Sequence, residues 1–184
     1  GGGPNSAICL RPTDGSPAVR LGDGYALQFS PDGMFVLCLQ RAEDDPGEMR
    51  LVILPTGAGE PSTIPTPGVR CRSAQWMPEG TSVVIAAHEP GRPLRLYLQG
   101  LDVADRVPIG PEGPITLPFY VSPDGGWVAV RSGSQPYGLY PVEGGERRTI
   151  PALDAQDDIL PWTLENGSLL VYQEGRIPAR IDRI

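Results

Sequence analysis

The chain has 184 residues, 40% of them apolar, and a formal net charge of −7 from 22 acidic and 15 basic side chains. That length allows one substantial core or a short array of repeats. The acidity opposes binding to a phosphate backbone, so nucleic acid is not an expected partner.

Glycine (24) and proline (22) make up a quarter of the residues, a level associated with low-complexity disorder. Disorder also requires low hydrophobicity, and here apolar residues gather in runs such as Phe35–Leu39 and Val83–Ala87. Glycine and proline therefore read as punctuation between strands. The longest stretch free of both, Met34 to Asp45, begins with a β-type run, which leaves little room for helices. An all-β chain is expected. No apolar run is long enough for a transmembrane helix, and no basic-then-apolar start marks a signal peptide.

In chain order, Ile8-Cys9-Leu10 leads into a turn at Arg11 to Gly15, the second hairpin of a unit without its first. Next comes Phe29-Ser30-Pro31-Asp32-Gly33 followed by Met34-Phe35-Val36, a turn flanked by β-formers. Proline presets φ, aspartate bonds back to the local backbone, and glycine takes the φ > 0 position. Leu51–Leu54 and the turn Pro55–Gly59 form a second hairpin. The pair recurs with Trp76–Gly80 and then Leu94–Leu98 turning at Gly100-Leu101-Asp102. It recurs again with Val121–Gly125 and then Tyr137–Tyr140 turning at Glu143-Gly144-Gly145. A fourth turn, Glu165-Asn166-Gly167, loses the proline but keeps a strong hairpin signal. The turn glycines 33, 80, 125 and 167 are spaced by 47, 45 and 42 residues.

Two hairpins per repeat give four strands, the content of one propeller blade. The expected fold is an all-β propeller of about four blades. Three whole repeats span approximately 24–67, 68–114 and 115–153, with half-blades at 5–23 and 154–184. The half-blades either combine to close a small ring, or the chain is a piece of a larger propeller. If they do not pair within the chain, their exposed edges predict a homodimer.

Little chemistry is visible. The one histidine, His88, cannot assemble a multi-histidine zinc site, and it reads as a loop residue at a hairpin end. Cys9, Cys38 and Cys71 form no metal or redox pair, and Cys38 reads as a small buried hydrophobe. Ser30 and Ser122 lie outside any nucleophile elbow, and their hydroxyls are expected to cap the turns. Asp32 and Asp124 are turn residues. Asp44-Asp45 and Asp154/Asp157/Asp158 read as solvated loop charge, since neither follows a calcium-loop spacing. Trp76, Trp127 and Trp162 read as packing between blades. No catalytic residue, metal site or cofactor is expected.

A binding site is expected at the central face, where the residues before each first strand converge. Its candidates are Tyr25, Arg70, Arg72, Tyr120, Asp157 and Asp158. Their mix of ring, guanidinium and carboxylate would suit a protein, peptide or small polar ligand.

The motifs at Phe29–Gly33, Trp76–Gly80 and Val121–Gly125 resemble those of WD-repeat-like bacterial propellers. That group includes the periplasmic Tol–Pal propeller and the propeller domains of serine peptidases. The stretches Leu10–Gly22, Leu51–Pro61, Leu139–Glu146 and Leu169–Arg180 resemble the C-terminal propeller region of eukaryotic-like serine/threonine kinases of acidobacteria. This second resemblance implies a sensor domain outside the membrane, attached to an N-terminal kinase. No kinase motif occurs in the chain itself, so it is not expected to be an enzyme. The resemblances also leave open an accessory domain of a peptidase and, third, a stand-alone lyase or glycosidase propeller.

Overall fold

The computed structural model describes residues 6–42, 45, 47–110, 112–151, 153–163, 168–173 and 181–183. The turn expected at Glu165-Asn166-Gly167 and the acidic residue Asp44 lie outside them. Among the described residues there is no helix, and so none long and apolar enough to cross a membrane.

Three antiparallel four-stranded sheets form the body, each in simple meander order. The first blade contains β3 (Tyr25–Phe29), β4 (Phe35–Arg41), β5 (Met49–Pro55) and β6 (Ser62–Ile64). The second contains β7 (Arg70–Trp76), β8 (Ser82–His88), β9 (Leu94–Gly100) and β10 (Arg106–Ile109). The third contains β11 (Ile115–Val121), β12 (Trp127–Ser132), β13 (Gly138–Pro141) and β14 (Arg148–Thr149). Before them lies a hairpin of β1 (Ala7–Leu10) and β2 (Val19–Asp23). After them lies a three-stranded sheet of β15 (Asp157–Ile159), β16 (Leu170–Gln173) and β17 (Ile181–Arg183). The architecture is that of a partial β-propeller.

The apolar runs are nearly continuous because the middle strands are buried on both faces. Alternate residues of one strand enter different cores. Leu37 and Leu39 of β4 and Leu51 and Ile53 of β5 pack against Val83, Ile85 and Ala87 of β8. Their neighbours Val36, Cys38, Val52 and Leu54 pack instead on Ile8 and Leu21 of the N-terminal hairpin. On β8, Val84 and Ala86 face the third blade through Val128 and Val130. Ala129 faces the last sheet through Ile159 and Val171. Cys38 is fully buried, as its place in an apolar run implied.

The repeated turn has one geometry. Ser30 Oγ donates to Asp32 Oδ1 (2.6 Å) and accepts from Phe35 N–H (2.9 Å), while Met34 N–H donates to Asp32 Oδ1 (2.9 Å). Ser122, Asp124, Gly126 and Trp127 repeat every bond of that set. The glycines have φ of 71°, 74° and 72° at Gly33, Gly80 and Gly125, a region costly for side-chain-bearing residues. A Cβ at Gly125 would also come 3.3 Å from Pro78 of the preceding blade's turn, so the turns pack on one another.

Of the two arrangements open from the sequence, end-to-end closure is not what the described residues form. No hydrogen bonds join β1–β2 to β15–β17. The hairpin instead covers the outer face of the first blade, because Val36, Cys38, Val52 and Leu54 need an apolar partner there.

Candidate functional site

The first strand of each blade leaves one edge without a sheet partner, which exposes backbone donors and acceptors to the central axis. Side chains from the neighbouring blade satisfy them. Gln28 Oε1 accepts from Trp76 N–H (2.8 Å). Gln75 Oε1 accepts from Val121 N–H (3.0 Å), and its Nε2 donates to Phe119 O (2.6 Å). The third junction runs in the reverse sense, with Trp162 Nε1 donating to Tyr120 O (3.3 Å). Gln28, Gln75, Tyr120 and Trp162 all stand five residues before a turn glycine, so one position of the repeat joins each blade to the next.

At this end of the inner strands lies a basin of about 610 Å³. Its walls carry Phe29, Trp76, Tyr120 and Trp162, with the turn prolines Pro31, Pro78 and Pro123 around the rim. Phe29 is 51% exposed. Burial raises the Tyr120 hydroxyl above the usual tyrosine range, and the negative charge of Asp158 adds to this. The phenol is therefore a hydrogen-bond donor at neutral pH.

At the opposite end of β7, between the first and second blades, lies a polar cleft of about 690 Å³. Arg70, Arg72 and His88 line it from the second blade, and Asp45 and Glu48 from the β4–β5 loop. Arg70 pairs across the sheet with His88, and Arg72 is the extra residue of a bulge between Cys71 and Ser73. His88 Nδ1 is 3.3 Å from Arg92 O.

The structure thus brings Arg70 and Arg72 together in the polar cleft and places Tyr120 in the aromatic basin. Tyr120 sits at the far end of β11 instead of ahead of it, because Ile115 and Thr116 already pair with Ser132 and Arg131. Tyr25 begins β3 opposite Leu39, outside both cavities. Asp157 is buried, its Oδ2 accepting from Asp154 N–H (2.9 Å). Arg131 donates to Asp157 O (2.6 Å) and Asp158 Oδ1 (3.0 Å), tying both to the third blade. Asp32 and Asp124 each accept two hydrogen bonds at Oδ1 inside the turn. No group of three or more histidine, cysteine or carboxylate side chains among the described residues could hold a metal. Sequence reasoning missed Phe29, Gln28 and Gln75 as residues of the basin. The signal for the glutamines was their shared offset from the turn glycine.

Comparison with solved structures places this geometry among known folds. The chain superposes on TolB from Acinetobacter baumannii with a TM-score of 0.64 at 18% identity, covering 90% of this chain and 45% of that one. It superposes on a putative TolB from Agrobacterium tumefaciens with a TM-score of 0.65 at 16% identity, covering 97% and 73%. The fold is a TolB-like propeller. The chain spans less than half the length of the first of these structures. No protein-family model and no curated protein sequence matches it.

Proposed function

We propose that this chain is a non-catalytic, protein-binding propeller domain that receives an extended, apolar peptide segment of a partner in the aromatic basin. The observation that carries this reading is the basin itself. Four aromatic side chains and three turn prolines surround a cavity whose backbone edge is already hydrogen-bonded by Gln28 and Gln75. Such a surface offers stacking and apolar contact at low desolvation cost, the composition typical of binding hot spots. Catalysis is not supported, since His88 Nδ1 is engaged with Arg92 O and the turn aspartates hydrogen-bond within their own turns. A role as the sensory part of a kinase-like receptor, outside the cytoplasm, rests on the family resemblance and completes the reading.

The test is selection of binders from a displayed library of random peptides, followed by titration of a selected peptide with tryptophan fluorescence. Enrichment of proline and aromatic residues is expected, with quenching from Trp76 and Trp162. Phe29→Ala, at an exposed position, should weaken binding about tenfold. Unchanged affinity in that variant, or turnover of peptide or glycoside substrates by the chain, would overturn the proposal.

A further inference from the structure

The arginines of this chain are almost all engaged. Arg20 pairs with Asp23, Arg92 with Glu89 and Glu112, and Arg95 with Glu112. Arg106, Arg131 and Arg147 donate to backbone carbonyls, and Arg148 stacks on Trp127 at 4.3 Å. Arg41 and Arg50 also have partners. Among arginines with described side chains, this leaves Arg11, Arg70 and Arg72 without one. Two of those three lie two residues apart on one strand and open into the same cleft.

Neither arginine is ion-paired with the cleft's acids, Asp45, Glu48 and Glu89. Glu89 accepts from Tyr97 Oη (2.9 Å) through Oε1 and pairs with Arg92 (3.3 Å) through Oε2. Asp45 Oδ1 accepts from Gly47 N–H (2.9 Å). Cys71, between the two arginines, faces the core shared by the first two blades and also lines the cleft into which both arginines open. The bulge at Arg72 brings that residue forward without a strand partner, a device associated with aiming side chains at sites.

We infer that this cleft is a second binding site, independent of the peptide basin, for a small anion bearing a carboxylate or phosphate held by Arg70 and Arg72. Two planar guanidinium forks match the paired oxygens of either group. The cavity volume lies within the range of small-ligand sites.

The experiment has two arms, inorganic phosphate and succinate, each titrated calorimetrically at matched ionic strength into the 184-residue chain, into the pair Arg70→Ala/Arg72→Ala and into Arg11→Ala. At least one anion should bind the parent chain and Arg11→Ala alike, and the double variant about tenfold more weakly or not at all. The arm that binds identifies the headgroup. The imidazole resonances of His88, the chain's one histidine, should shift on binding. Both arginines are exposed, so the alanine pair should fold; an Arg70→Lys/Arg72→Lys pair, which keeps charge but loses the fork, should be intermediate. Phe29→Ala should leave anion binding untouched, separating this site from the basin. Absence of binding in both arms, equal binding by the alanine pair, or unmoved His88 resonances would overturn the inference.

Discussion

At the scale of single residues, the most consequential side chain is a glutamine. Gln75 joins the second blade to the third through two bonds, to Phe119 O and Val121 N–H, and Phe119 is almost fully buried. Removing one partner of a buried hydrogen bond leaves the other unsatisfied, at a cost of about 1–3 kcal/mol. Gln75→Ala should therefore lower the urea midpoint clearly. Gln28→Ala should lower it less, since Gln28 is exposed and makes one bond to Trp76 N–H. Equal effects of the two variants would refute the assigned roles. Tyr120 was legible as a candidate, as a residue expected just ahead of a first strand, though the structure puts it at that strand's far end. Gln28 and Gln75 were not, since their shared offset from the turn glycine marks a repeat position but their partners lie some 45 residues away.

At the scale of elements, the Ser-Pro-Asp-Gly turn is a self-contained unit whose electrostatics give a pH dependence. Hydrogen bonds from the Ser30 hydroxyl and Met34 N–H hold the Asp32 carboxyl below its ordinary value of 3.8, and Ser122 and Gly126 N–H do the same for Asp124. A carboxyl with a lowered folded-state pKa contributes stability above its unfolded value and loses it as pH falls through the folded value. The thermal midpoint of the chain should thus fall below about pH 4, as these two groups protonate. The double variant Asp32→Asn/Asp124→Asn should start lower at neutral pH and show a shallower acid slope. Parallel slopes in thermal melts across that range would show that the turns do not contribute. These turns were legible from sequence because their bonds span only a few residues. The second blade keeps the fold with Met77 in place of the serine, through Met77 N–H to Ser82 O and Gly80 N–H to Met77 O (both 3.0 Å).

At the scale of the molecule, the hairpin β1–β2 and the sheet β15–β17 each keep an edge that no described strand covers. Unpaired edges seek partners, so this 184-residue chain should self-associate through strand pairing as its concentration rises. Light scattering across a concentration series checks this. A strict monomer with protected edge amides in hydrogen exchange would exclude it. The all-β class, the four-stranded repeat and the capped turns followed from sequence alone, because each rests on contacts between residues close in the chain and on spacing that recurs. Where the end segments pack, which inner-strand residues join blade to blade, and which of the candidate residues share a cavity were decided only in three dimensions. Tyr25, Arg70, Arg72, Tyr120, Asp157 and Asp158 were grouped by position in the repeat, yet of these the polar cleft is lined by Arg70 and Arg72 and the aromatic basin by Tyr120. The physical reason is that strand length, bulges and burial on two faces set where each side chain emerges. Those depend on the packing of neighbouring blades, which no local pattern encodes.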